Sequence, residues 1–167
     1  TMYNLLFKTS SQTLLQASER LYGQIGFTSI LHTWGQNLWF HPHVHMIVSG
    51  GGLSHGENGE FTFKKAPANF LVSVKVLSRL FRGKFIDSMK KLDLLDENSS
   101  SIDFDSEPYR SLVNELYSKE WVVYSKKPFG SNLAVLNYIG RYSHRVAISN
   151  SRILDYSLED HTVTFSY

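Results

Sequence analysis

The 167-residue chain contains no cysteine. That excludes disulfides and thiolate metal sites within it, and it fits a reducing compartment. It has only four prolines, too few for an extended proline-rich linker. No apolar run approaches the ~18 residues of a membrane-spanning helix, and no signal peptide opens the chain. The chain opens on TMYNLLFKT and closes on HTVTFSY, neither of which reads as a terminal element. A fragment of a longer protein, cytoplasmic by its lack of cysteine, is therefore the expectation. Its length suffices for one compact domain with a core of its own, taken as residues 1–167.

Charge of one sign is scarce in the mean and abundant locally. The formal net charge is +2. Lys75, Arg79, Arg82, Lys84, Lys90 and Lys91 face only Asp87 within 75–91, a local net of +5. The stretch 93–107 has acidic residues alone and a net of −6, and Arg141, Arg145 and Arg152 give +3 over 141–152. Clustered cations suit phosphate binding, although a solvated helix face has the same composition.

Histidine is plentiful where it matters. HPHVH at 41–45 runs into MIVSGGG, and the flanking Val44, Met46, Ile47 and Val48 read as a strand. Side chains repeat every second residue on a strand, so His41, His43 and His45 share one face. Pro42 cannot donate to a ladder, which makes this end of the strand an edge or a bulge. Neutral imidazole is the commonest metal ligand, and i, i+2 histidines present two nitrogens to one point. The alternative is a half-buried strand whose histidines only hydrogen-bond. No HxHxDH occurs and no Glu follows HVH closely, which weakens zinc-hydrolase and jelly-roll readings. GFTSILHTW at 26–34 reads as a strand, GQN turns the chain, and the two strands form an antiparallel pair. That hairpin brings the Gln36 amide oxygen beside the imidazoles, with His32 and His41 as competitors. Two histidines and one amide oxygen leave open positions that suit Mg²⁺ or Mn²⁺ with a phosphate ligand.

Helical patterns cover 10–23, 67–91, 108–118 and 131–144. In the second, Phe70, Val74, Leu77, Phe81 and Phe85 should face the core, with Lys75, Arg79 and Arg82 as a basic stripe. Short strands are expected at 60–64, 121–125 (WVVYS), VAISN, RILDYS and HTVTFSY. Residues 50–52 and 55–59 read as loops, and 96–107 as an acidic surface loop. The order implies an α+β fold with a mostly antiparallel sheet. On the last helix, NYIGRYSHR places Tyr138 and Tyr142 four apart on one face, with Arg141 and Arg145 beside them. A tyrosine pair at this spacing also fits the edge of a core. A tyrosine hydroxyl is also a nucleophile, and with a pKa near ~10 it needs a cation close by to act at neutral pH.

A His–hydrophobic–His strand followed by a YxxxY helix resembles the two-tyrosine HUH transposases of rolling-circle bacterial insertion sequences. LHTWGQNLWFHPHVHMIVSGGGLS, LSRLFRGKF, WVVYSKKPFG and YIGRYSHRVAISNSR resemble blocks of that family across residues 3–167. Ser143 stands where the family has threonine. The resemblance implies a palm-like antiparallel sheet with the HUH strand central and the tyrosine helix packed across it. It also implies an N-terminal zinc-binding domain and further C-terminal segments outside this chain. It makes His43 and His45 metal ligands, Tyr138 and Tyr142 nucleophiles, and His41 a residue behind the ligands. Gln36 stays the third ligand on the hairpin argument. The implied activity nicks and rejoins single-stranded DNA through 5′-phosphotyrosine intermediates. Arg141 and Arg145 would hold phosphates, and Lys75, Arg79 and Arg82 would track the backbone. Trp34, Trp39 and Phe40 are candidates to stack on bases. The competing readings are a replication initiator or relaxase with the same site, an inactive single-strand DNA-binding module, and a zinc hydrolase.

Overall fold

The computed structural model describes residues 2–92, 94, 101–143 and 147–167. Helix α1 (Met2–Tyr22) leads into strands β1 (Gln24–Trp34), β2 (Phe40–His55) and β3 (Phe61–Lys65), then helices α2 (Val74–Lys90), α3 (Tyr109–Ser118) and α4 (Asn132–Ser143). A short 3₁₀ turn at Asn150–Arg152 precedes strands β4 (Ile153–Ser157) and β5 (Thr162–Phe165). One sheet has the order β1-β2-β3, and β4 with β5 forms a second, two-stranded one. The fold is α+β, with the histidine strand β2 central in its sheet. β2 and β3 pair antiparallel from Gly51↔Lys65 to His55↔Phe61. Pro42 lies well before that register, so it meets no donor requirement from β3.

Several expectations change. α1 begins at Met2 and not near residue 10, so Ser10 and Ser11 are interior residues of the helix. The hydroxyls of Thr9, Ser10, Thr13 and Ser18 each donate to the carbonyl four residues back, at 2.7–2.8 Å. Satisfied inside their own helix, they neither compete with it nor end it. The triple glycine at 50–52 belongs to β2 and is not a loop. The Gly52 Cα lies so close to the Tyr22 and Gln24 carbonyls that any Cβ would collide with them. α2 begins at Val74, with Phe70 and Val74 exposed. Its fully inward positions are Ser78, Ile86 and Met89. Ser78 turns in because its hydroxyl donates to the Trp121 carbonyl at 2.5 Å. Phe81 and Phe85 meet the Trp121 ring at 5.4 and 5.3 Å between centroids.

WVVYS is not a strand. Trp121 is anchored by its indole N–H to the Leu116 carbonyl at 3.1 Å, while Val122 and Tyr124 face solvent. Of the acidic stretch, 96–100 lies outside the described residues. Phe104 from its remainder is buried in the core with Leu5, Ile86, Met89 and Val113. Val146 of VAISN also lies outside the described residues, and Ala147–Ser149 form no strand.

The chain divides into two compact units, residues 1–29 with 46–128, and residues 30–45 with 129–167. The first holds α1, α2 and α3, with α1 packed on α2 and α2 on α3. The second holds the β1–β2 turn, α4 and the β4–β5 hairpin.

Two glycines give opposite predictions. Gly23 ends α1 at φ +76°, and a Cβ there would strike the Leu53 carbonyl. Gly83 lies inside α2 with nothing within 4 Å of an added Cβ. In urea unfolding, Gly83→Ala is expected to stabilise by about 1 kcal/mol, and Gly23→Ala to destabilise by at least about 1 kcal/mol.

Candidate active site

All the groups of the candidate site belong to the second unit. β2 puts His41, His43 and His45 on one face, as the period of two requires. His32 arrives from β1 and is 9% exposed. His32, His43 and His45 each offer one ring nitrogen, all within 4.8 Å of one another. This trio can hold a metal ion.

The hydrogen bonds fix which nitrogen does what. His43 Nδ1 lies 2.7 Å from the His41 carbonyl, which can only accept, so Nδ1 carries the proton and Nε2 the lone pair. His43 Nε2 lies 3.0 Å from His45 Nε2. Two lone pairs cannot face each other there, so the metal-free His45 donates from Nε2. Its Nδ1 is then an acceptor, and the Tyr138 hydroxyl sits 3.1 Å from it. His32 Nε2 donates to the Tyr142 carbonyl at 3.0 Å, which leaves Nδ1 free. His41 thus serves through its backbone oxygen, holding the ring of a candidate ligand.

The tyrosines arrive from α4. Their rings lie 4.3 Å apart between centroids. Tyr142 packs on His45 at 4.2 Å and on His32 at 5.5 Å, and Phe129 meets Tyr138 at 5.2 Å. α4 has no fully buried residue, so these ring contacts and the two hydrogen bonds to His32 and His45 are prominent among its attachments.

A cleft of about 500 Å³ opens beside the histidines. Its lining includes Trp34, Gln36, Asn37, Tyr142 and Arg152, and among the described residues it contains no carboxylate. Gln36 borders this cleft, and its backbone oxygen accepts from the Arg152 guanidinium at 2.7 Å. Arg152 also donates through Nε to the Ser166 carbonyl at 2.6 Å. Sequence reasoning counted its charge but gave it no place in the site, because only the turn of the hairpin brings it there. His32 was one competitor among several, for the same reason. Arg141 is exposed on α4, and Arg145 lies outside the described residues. Lys75, Arg79 and Arg82 belong to the first unit. Of these, Arg82 is engaged with the Lys119 carbonyl at 2.8 Å, and Lys75 and Arg79 are exposed.

Burial, with the neighbouring His43 and His32, lowers the His45 pKa from 6.5 to about 4. Burial, and then Tyr142, raises that of Tyr138 above its usual 10. The first keeps an imidazole neutral and ready to ligate at pH 7. The second means the phenol keeps its proton until something stabilises the anion.

The residues 26–167 match a transposase family model described as "Putative transposase". The chain belongs to that two-tyrosine transposase family. It is 40% identical over 181 residues to the "Putative transposase y4qJ" of Sinorhizobium fredii (strain NBRC 101917 / NGR234), covering 99% of this chain and 42% of that protein. It is 27% identical over 170 residues to the "Transposase for insertion sequence element IS801" of Pseudomonas savastanoi pv. phaseolicola, covering 99% of this chain and 39% of the relative. The chain thus spans about two-fifths of the length of these curated relatives. No solved structure matches it. No helix among the described residues is long and apolar enough to cross a membrane.

The His45 shift carries a sign. A folded pKa near 4 against 6.5 unfolded means the unfolded chain binds the extra proton between those values. The contribution is fully present above pH 6.5 and is lost as pH falls toward 4. Thermal melts of the metal-free protein should lose stability over that window, and His45→Gln should lose less over the same window. Identical pH profiles for the two proteins would show that His45 is not held neutral by the fold.

Proposed function

We propose that this domain cuts and rejoins single-stranded DNA, with Tyr138 and Tyr142 as nucleophiles and a divalent cation held by His43 and His45. The observation that carries this reading is the run Tyr138 Oη–His45 Nδ1 at 3.1 Å and His45 Nε2–His43 Nε2 at 3.0 Å. It joins a phenol to a pair of candidate ligands through one imidazole.

The donor set fits a metal. The Nε2 atoms of His43 and His45 lie 3.0 Å apart and could both reach one cation. His32 through Nδ1 is the proposed third donor, and Gln36, which borders the same cleft, is the alternative. Three nitrogens suit Mn²⁺ better than Mg²⁺, whose preferred ligands are oxygens. When bound, the ion would polarise a phosphate oxygen and offset charge in the transition state.

The remaining work falls to the chain. A cation held by both Nε2 lone pairs would leave the His45 proton on Nδ1, from which it would donate to the Tyr138 oxygen. His45 would then be a donor toward the phenol, which would favour the phenolate. The tyrosine hydroxyl gives up its proton to solvent, its oxygen attacks phosphorus, the bond from phosphorus to the 3′ oxygen breaks, and that oxygen takes up a proton from solvent. The product is a 5′-phosphotyrosine and a free 3′-OH. Reversal with a second 3′-OH reseals a strand, and no nucleotide cofactor is consumed because each step exchanges one phosphoester for another. Tyr142, whose ring lies 4.2 Å from the same imidazole, can hold a second strand end while the first link persists. Arg141 and Arg145 are proposed phosphate contacts near the tyrosines, and Lys75, Arg79 and Arg82 contacts along the backbone.

Tyr→Phe removes the nucleophile and keeps the ring. Each single variant, incubated with a labelled single-stranded oligonucleotide and Mn²⁺, is expected to leave a covalent adduct on a denaturing gel, and the double variant none. An adduct in the double variant would place the nucleophile elsewhere. In calorimetry, His43→Ala should abolish Mn²⁺ binding, and Mn²⁺ should bind more tightly than Mg²⁺. Loss of Mn²⁺ affinity in His32→Ala but not in Gln36→Ala identifies the third donor as His32. The reverse pattern returns that role to Gln36.

A further inference from the structure

The tip of the β1–β2 hairpin carries two features that the strand-transfer chemistry does not use. Trp39 and Phe40 are adjacent and are 76% and 75% exposed. Leu38, just before them, sits at φ +62°, a left-handed conformation that a leucine adopts only when its surroundings impose it. Those surroundings are visible. Leu38 N–H donates to the Gly35 carbonyl at 3.0 Å, and Gly35 N–H donates to the Trp39 carbonyl at 3.0 Å. Trp39 N–H donates to the Asn37 side-chain oxygen at 3.3 Å, and Arg152 grips the Gln36 carbonyl. A tip fixed this firmly holds two large rings out in solvent, where they lose apolar burial and gain nothing within the described residues.

We infer that Trp39 and Phe40 form a preorganised stacking platform for unpaired nucleobases of the DNA strand that enters the cleft. The occupant follows from chemistry and place. Residues 35–37 of the same turn line the cleft, and no carboxylate faces a phosphodiester there. Deeper on the same hairpin, Trp34 lies parallel to His32, with 5.4 Å between centroids and 6° between planes. Flat aromatic faces thus occur both at the tip and beside the candidate ligands. Gln36, Asn37 and His41 flank the two aromatic residues along the chain, a polar setting unlike a contiguous apolar protein interface. Base–aromatic stacking tolerates any sequence but needs an unstacked base, so it selects single strands over duplex. Trp39 lies four residues from His43, about 13 Å along the strand, which puts the platform a few nucleotides from the scissile phosphate.

The location of the scissile phosphate rests on the proposed strand transfer, but stacking itself does not, and the test separates the two. Binding of an unstructured fluorescent oligonucleotide is measured with the full chain in EDTA, where no cleavage occurs. Trp39→Ala and Phe40→Ala are each expected to weaken binding about tenfold, within the range for one lost stack. Trp39→Phe should restore most of it, and duplex affinity should change little. Replacing single bases by abasic sites should cost the parent protein as much at one or two positions and cost Trp39→Ala nothing further there. Both residues are exposed, so melting curves should be unaltered. Alanine variants that bind within twofold of the parent overturn the platform, as does an equal loss for duplex and single strand. If the parent protein forms no tyrosine adduct with Mn²⁺ yet Trp39→Ala weakens binding, the platform stands and the strand-transfer reading fails. If adducts form and Trp39→Ala binds normally, the outcome is the opposite.

Discussion

Two imidazole nitrogens 3.0 Å apart can share one proton or one cation, but they cannot both present lone pairs to empty space. Much of the second unit is built around that constraint. The His41 carbonyl fixes the proton of His43 on the far side of its ring. His45 is then the residue that must change tautomer when the shared position changes, and its other nitrogen touches Tyr138. The ring that would feel a cation is therefore the ring that touches a phenol. Burial keeps that ring neutral, and burial also keeps the phenol protonated. Each shift alone has an ordinary structural cause. Together they describe a site at rest in which the imidazole is neutral and the Tyr138 phenol keeps its proton.

His32 adds a second connection between the ligands and α4. Its Nε2 proton is committed to the Tyr142 carbonyl near the end of the helix. A helix with no fully buried residue has little apolar area to hold it. Its position then depends on polar and ring contacts with the histidines. The geometry of the tyrosines and the geometry of the candidate ligands are in that sense one arrangement.

The sequence made some of this legible and hid the rest for physical reasons. The alternation of His41, His43 and His45 is a local property of a strand, and it could be read directly. So could the four-residue spacing of Tyr138 and Tyr142 on a helix. The partnership of His32 could not, because it depends on how β1 returns beside β2, and Gln36 stood equally near the same turn. Arg152 is far away in sequence and reaches Gln36 only through the fold. Elsewhere the misreadings have separate causes. Ser78 faces inward because a carbonyl awaits it. The hydroxyls of Ser10 and Ser18 bond to carbonyls inside α1, whose start at Met2 the pattern from residue 10 did not reveal. WVVYS has the residues of a strand but no partner strand among the described residues, so it remains an extended segment pinned by Trp121. Gly51 and Gly52 lie in β2 where the adjacent backbone leaves no room for a Cβ.

The most direct test of the central claim is the tautomer of His45, read by nitrogen NMR of the imidazole ring in selectively labelled protein. Without metal, the proton should be on Nε2, facing His43. On titration with a diamagnetic divalent cation it should move to Nδ1, facing the Tyr138 oxygen, and His43 should keep its proton on Nδ1 throughout. A His45 ring that holds its proton on Nε2 at saturating cation would contradict the account, because the metal and the nucleophile would then have no common group between them.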